Sequence, residues 1–349
     1  MIRFESSESK VVILNPFKGF AEEICVVQVR KDPLLGDTSV YNPTVREKMK
    51  FFFRDCDEEL IANLIEDSAK TCIFCEGKLE SSTPQYPRSL AAEGRIKAGE
   101  AVLFPNLYPV GKYHAVIVLT KVHFVRLSEF RPEIISDGFS AAQQFVSDVY
   151  AQDQEAGFVA VNANYLFPAG ATFVHPHLQM LVTPIAYSYH DRIIQACRLY
   201  HKRTGSEYYP DLVAEEKLAG SRYIAQSGGW HWLAPYSPTG VNEINAVHES
   251  ESDFGTLTHQ DLIALATGIS KVLALYHELG HLSFNYSIYS VKNSSGQGFR
   301  CLLKIISRQN LYPNYRNDDY FLQKLLQTEL IINLPEDLAT RLQKSFQET

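Results

Sequence analysis

His175-Pro176-His177-Leu178-Gln179, running on into Met180-Leu181-Val182-Thr183, is the stretch from which the rest of the chain is read. Side chains of an extended strand alternate between two faces, so His175, His177 and Gln179 share one face and Pro176, Leu178 and Met180 the other. The second set suits packing on a core, whereas the first brings two imidazoles and an amide together. One reading is a half-exposed strand with a polar outer face. The other is a reacting centre, because imidazole attacks phosphorus and leaves again. On that reading His177 holds a phosphoryl-linked group through a phosphoramidate, and Gln179 donates to a non-bridging oxygen. Just upstream, Phe167-Pro168-Ala169-Gly170-Ala171 is a glycine-containing turn, after which Thr172 and the backbone N–H groups of residues 170–173 are able to approach a phosphate.

On either side of this strand the hydrophobic pattern gives an α+β order. Ala101–Phe104 and His114–Leu119 read as strands, Ile134–Gln152 as an amphipathic helix and Phe158–Asn162 as a strand. The same order follows Tyr223: strands at Trp230–Ala234 and Asn242–Val247, a helix at Thr258–Gly280 with Thr258 as cap, then strands at Ser283–Ser290 and Arg300–Ser307. Two tandem halves are therefore expected, residues 1–205 and 206–349, each an antiparallel sheet with packed helices. Val26–Val29 is a short early strand, the run up to Cys72 is charged and poorly periodic, and Asp318 to Phe346 reads as helical, with Pro335-Glu336-Asp337 opening the last helix.

The composition, 45% hydrophobic and 21% charged over 349 residues, is that of a globular protein with a large core. A formal net charge of −7 argues against a protein that coats nucleic acid. Ala115–Thr120 and Ile263–Leu275 are too short or too punctuated to cross a bilayer, and the acidic N-terminus lacks the order of a signal peptide. A cytoplasmic protein without membrane or nucleic-acid partners is expected. Four of the six cysteines, Cys25, Cys56, Cys197 and Cys301, stand alone and read as small buried apolar residues.

Cys72 and Cys75 differ, because Cys72-Ile73-Phe74-Cys75 has the spacing at which a tight turn closes two thiolates on one Zn²⁺. Tetrahedral zinc needs two further ligands. His123 and His175 are available, with His114 as a competing choice inside an apolar strand. Other polar clusters read blandly. His231 sits between two tryptophans in a packed strand, His277 and His281 lie near a helix C-terminus that favours imidazolium, Tyr208-Tyr209-Pro210-Asp211 reads as an exposed turn, and Asp318-Asp319 as a solvated helix start.

Taken together these residues resemble the galactose-1-phosphate uridylyltransferase family, a branch of the histidine-triad (HIT) superfamily. The likeness runs through Arg30 to Gly36, Cys72–Cys75 with Thr83-Pro84, Phe104-Pro105-Asn106 and His175–Gln179. The resemblance implies a HIT-like fold and nucleotidyl transfer between a nucleotide sugar and a sugar 1-phosphate. It implies catalysis by His177 and Gln179, nucleotide contacts at Arg30, Asn106, Asn164 and Thr172, Zn²⁺ held by Cys72, Cys75, His123 and His175, and a homodimer. Three positions depart from the family pattern. Leu178 is more like the diadenosine tetraphosphate phosphorylases, which favours inorganic phosphate as acceptor. Leu302-Leu303-Lys304-Ile305-Ile306 lacks the His-x-His of members with a second metal, so none is expected. Asp318–Glu329 lacks the expected hexose-contacting residues, a loss that also admits a non-catalytic nucleotide-binding protein.

Overall fold

Alternate burial along Phe158–Tyr165 and Phe284–Val291 places two antiparallel strands side by side at the middle of a ten-stranded sheet. The computed structural model describes residues 2–45, 54–292 and 298–348. In chain order the strands are β1 (Glu5–Asn15), β2 (Ala21–Lys31), β3 (Thr38–Tyr41), β4 (Ile96–Ala98), β5 (Ala101–Pro105), β6 (Tyr113–Val118), β7 (Phe158–Tyr165) and β8 (His177–Thr183). They continue as β9 (Tyr223–Ser227), β10 (Trp230–Leu233), β11 (Ile244–His248), β12 (Phe284–Val291), β13 (Leu302–Ser307) and β14 (Thr328–Ile331). The helices are α1 (Glu58–Thr71), α2 (Leu79–Ser82), α3 (Pro132–Gln152), α4 (Ser188–Thr204), α5 (Tyr208–Ala219), α6 (His259–Glu278), α7 (Phe321–Lys324) and α8 (Pro335–Gln347).

The large sheet runs β4-β5-β6-β8-β7-β12-β13-β11-β10-β9. Read inwards from its two edges the orders match, β4-β5-β6-β8-β7 against β9-β10-β11-β13-β12. Each half contributes five strands and one long helix, α3 or α6, inserted after its third strand. The duplicated element order expected from the sequence is thus an approximate two-fold arrangement joined by eight residue pairs of β7 and β12. The fold is α+β.

One face of the sheet carries Leu178, Met180, Val161, Ala163, Ile288, Leu303 and Ile305, which pack against α3 and α6 in the main core. Glycine brings both helices close. A Cβ on Gly268 of α6 would lie 1.9 Å from Trp232 Cζ2, and one on Gly138 of α3 would lie 2.3 Å from Leu119 Cδ2. Thr258 caps α6 through a capping box with Asp261, as the sequence suggests. The opposite face is covered only in parts. Helices α4 and α5 bury its β10–β11–β13 side with Ile193, Ile194, Cys197, Tyr208 and Tyr209. The Cys72–Leu79 loop covers Val116 and Val118 at the other side. A polar trough lies between these covers.

Several elements differ from the sequence expectation. Tyr208 and Tyr209 are buried at the start of α5, where the apolar rings rather than the proline decide the environment. Residues 58–71 form a helix capped by Asp57, whose buried face is essentially Ile61, too narrow a stripe to show as periodicity. Residues 318–346 are not continuously helical, because Thr328–Ile331 forms β14 and pairs in parallel with β3. The N-terminal hairpin β1–β2 is much longer than Val26–Val29; its exposed strands carry no alternating burial to read.

Gly268→Ala is expected to lower stability by about 1–3 kcal/mol, since the fully buried Trp232 ring must shift. Urea unfolding should show a lower midpoint at unchanged slope; an unaltered midpoint would mean that α6 is free to move away from the sheet.

Candidate active site and metal centre

Strand β8 begins at His177, not at His175. Pro176 has no N–H to give to a ladder, and residues 171–176 bend before the strand is entered. The bend still leaves both histidines on the trough side. The His175 ring, fully buried, points its Nδ1 at the Cys72–Cys75 loop, 3.7 Å from each sulfur. His123 brings Nδ1 to 3.3 Å from Cys75 Sγ. All four ligand atoms lie within 4.8 Å of one another.

These spacings fit a metal ion. Bonds of about 2.3 Å to sulfur and 2.0 Å to nitrogen at tetrahedral angles separate S from N by about 3.5 Å. The four residues form a cluster that could hold an ion such as zinc. Both imidazoles are held so that Nδ1 is free for the ion: His175 Nε2–H donates to the Thr120 carbonyl at 2.7 Å, and His123 Nε2 bonds Ser68 Oγ at 2.8 Å. Burial lowers His175 to about 4 and keeps it neutral. Burial, reinforced by Cys72, pushes Cys75 up to about 11, a thiol that a bound cation would convert to thiolate. His114, the rival ligand, lies elsewhere: its Nε2 is 2.9 Å from Gln179 Oε1.

His177 is fastened by the same short segment. Its Nδ1–H donates to the His175 carbonyl at 2.8 Å, so Nε2 keeps its lone pair. Burial lowers the ring's pKa and leaves the imidazole neutral. Phe74 and Phe173 stand edge-on to it, with centroids 5.3 and 6.5 Å away. Gln179 follows on the same face, paired in register with Asn162 of β7 and Val116 of β6. Asn164 lies one residue beyond the Ala163–Leu178 pair, which sets it opposite His177; its Oδ1 accepts from Asn285 Nδ2 at 2.7 Å. Asn106 approaches Gln179 Oε1 at 3.5 Å. Thr172 is exposed in the bend before His175.

The remaining expected contact is placed differently. Arg30 is buried on β2, bonded to Glu336 at 2.9 Å and lying over the Tyr236 ring at 4.8 Å. No contact among the described residues joins it to His177. Leu178 faces the core beside α3, as the alternation of an extended strand expects. Asp318 is not solvated: its carboxylate takes two hydrogen bonds from Arg308. His281 is buried and bonds Asn242 Nδ2 at 3.0 Å. The sequence reading missed Phe74, Phe173, Thr120 and Ser68, which lack any motif of their own; Phe74, inside the CxxC, had a positional signal.

Across the β7–β12 seam the trough continues through Asn285 and Ser287 into a cavity of about 330 Å³. Lys304, Tyr189, Arg192, Gln323 and Glu329 line it. Lys304 is enclosed by Glu243 at 3.1 Å, Tyr189 Oη at 2.6 Å and Thr239 Oγ1 at 2.8 Å.

Comparison with known proteins agrees with this architecture. The chain is 29% identical over 324 residues to an uncharacterized protein of Archaeoglobus fulgidus, covering 93% of each. It is 23% identical over 288 residues to the ADP-glucose phosphorylase of Arabidopsis thaliana, covering 75% of this chain and 78% of that protein. It is 26% identical over 183 residues to the galactose-1-phosphate uridylyltransferase of Streptomyces lividans, about half of each chain. The crystal structure of the Arabidopsis thaliana ADP-glucose phosphorylase with bound ADP-glucose superposes with a TM-score of 0.68 at 19% identity, covering 91% of this chain and 99% of that one. The fold is that of the galactose-1-phosphate uridylyltransferase-like HIT proteins. A uridylyltransferase mutant structure superposes similarly, with a TM-score of 0.65 at 17% identity over 92% of this chain. To the two named enzymes the sequence relation is one of distant homology. No family model matches the chain.

Wild type is expected to take up about one equivalent of zinc and Cys75→Ser well below one, with the variant less stable by several kcal/mol, since ligand loss and unfolding are linked. Elemental analysis alongside thermal unfolding measures both; full zinc content in the variant would take Cys75 out of the site.

Proposed function

We propose that the chain is a nucleotidyltransferase that moves a nucleoside monophosphate through a covalent bond to His177. The observation that carries this reading is the His177 ring itself. It is neutral, fixed by Nδ1–H to the His175 carbonyl, and has its Nε2 lone pair uncommitted beside Gln179 and Asn164. In the first step Nε2 attacks the α-phosphorus of a nucleotide sugar. The N–P bond forms, the bond from phosphorus to the bridging oxygen breaks, and sugar 1-phosphate leaves with the electron pair. A phosphate oxygen of the second substrate then attacks the same phosphorus, the N–P bond breaks, and neutral His177 is regenerated. Gln179 serves both steps by donating to a non-bridging oxygen.

As acceptor we place a sugar 1-phosphate first, with the polar cavity beside Asn285 and Ser287 receiving the sugar. Strand β13, which carries Lys304, lies three strand spacings or about 14 Å from β8 on the same sheet. Inorganic phosphate is the second reading, supported by the likeness to ADP-glucose phosphorylase over three quarters of the chain. Zn²⁺ is our assignment for the Cys72, Cys75, His123 and His175 cluster, where it would fasten the Phe74 loop to the start of β8. We place the boundary between the halves near residues 205 and 206, in the α4–α5 connection.

A homodimer is the assembly we favour. The hairpin β1–β2 exposes Val12, Leu14, Phe17, Phe20 and Ile24 together, an apolar patch of the kind that marks an interaction surface. Sedimentation analysis of the chain and of Leu14→Glu is expected to give a dimer and a weakened dimer; a monomer in both would remove the assembly.

Intact-mass analysis under mildly basic denaturing conditions, after incubation with UDP-glucose or ADP-glucose, is expected to show one added nucleoside monophosphate. His177→Ala should abolish the adduct and lower turnover by about 10³-fold or more. An adduct in the variant would move the nucleophile elsewhere, and no adduct in folded, zinc-loaded wild type would favour a binding protein. Addition of phosphate or of sugar 1-phosphate to the adduct separates the two acceptors.

A further inference from the structure

We infer that His114 is a positioning residue, which fixes the amide of Gln179 with its NH₂ group towards the phosphorus. The inference rests on the proposed role of His177 and adds a residue to it. Gln179 serves as a phosphoryl donor only in one of its two amide orientations; turned over, it presents a carbonyl oxygen to an already anionic group. What selects the orientation is therefore part of the site.

Four hydrogen bonds select it. The backbone N–H of Val110, which can only donate, lies 3.2 Å from His114 Nδ1. Neutral His114 therefore carries its hydrogen on Nε2, and burial lowers the ring's pKa and favours that neutral form. Nε2–H then donates to Gln179 Oε1 at 2.9 Å. Asn106 is polarised in the same sense. Its Oδ1 accepts from Tyr108 N–H at 2.8 Å, which turns Nδ2 towards the His114–Gln179 pair, 3.3 Å from His114 Nε2, which cannot accept while it carries the hydrogen, and 3.5 Å from Gln179 Oε1. Two donors thus converge on one oxygen, and the Gln179 NH₂ is left for the trough. Strand register makes the contact possible: β6 pairs His114 with Leu181 and Val116 with Gln179, so His114 and Gln179 are diagonal neighbours on the trough face. The turn at residues 106–110 supplies the direction of the whole relay.

Substitutions at His114 separate its two contacts. Gln reaches the Nε2 position, so His114→Gln retains the donor to Gln179; His114→Asn reaches only the Nδ1 position, and His114→Phe supplies neither. The rate of His177 nucleotidylation, followed by intact mass in rapid-quench samples, is expected to fall about 100-fold in the Phe and Asn variants, the size of losing one directed donor. KM should change little, and His114→Gln should recover most of the rate. In a Gln179→Ala background, His114→Phe should have no further effect. Equal rates in all His114 variants, or additive losses with Gln179→Ala, would overturn the assignment. Should the variants unfold, ¹⁵N spectra of the wild-type histidines decide directly: His114 protonated at Nε2 is expected, and protonation at Nδ1 would overturn the relay. Failure of wild type to form any adduct would instead bear on His177, leaving the tautomer measurement to judge His114.

Discussion

A single hydrogen bond, from His177 Nδ1–H to the carbonyl of His175, ties the candidate nucleophile to the candidate metal centre. The residue that accepts it turns its own ring towards Cys72 and Cys75 and is held there through Thr120. Backbone and side chain of His175 thus serve different neighbours. Any rotation of the bend at residues 171–176 disturbs both at once, which gives the segment little freedom to vary. Pro176 restricts it further by ending the strand ladder at the required place. The aromatic edges of Phe74 and Phe173 then flank the ring that this bond has oriented.

Much of this was legible in the chain. The period-two spacing of His177 and Gln179, the CxxC pair and the repeated element order carried the face assignment, the grouping of Cys72, Cys75, His123 and His175 and the matching strand orders, because each is a local pattern with a direct geometric consequence. What was illegible depended on partners far away in sequence. His114 read as a rival metal ligand because nothing local shows that β6 lies beside β8 in the register that brings it to Gln179. Arg30 finds its partners, Glu336 and Tyr236, in the last third of the chain, and no local pattern announces them. The exposed hairpin β1–β2 left no pattern, since alternation records burial and neither strand has much of it.

The two halves share a strand order but not the side chains on its open face. The open face of β8 offers His177 and Gln179, and that of β13 offers Lys304, closed in by Glu243, Tyr189 and Thr239. A buried ammonium is tolerated only with such partners, because desolvation otherwise removes its charge. Lys304 therefore binds helix α4 and the residue-239 loop to the second half of the sheet. Between the two lies a neutral amide and hydroxyl floor, Asn162 with Ser287 and Asn164 with Asn285, bonded in pairs across the seam. That floor belongs to neither half alone.

The same seam has a consequence for synthesis. Strand β7 is complete at residue 165, but the partner for its free edge, β12, ends at residue 291, which is 126 residues later. At about 5–20 residues per second the ribosome needs roughly 6–25 s to deliver it. Throughout that interval the half already made exposes an unpaired edge of eight residues to other nascent chains. Its asparagines, Asn162 and Asn164, make that edge more polar than a core strand usually is.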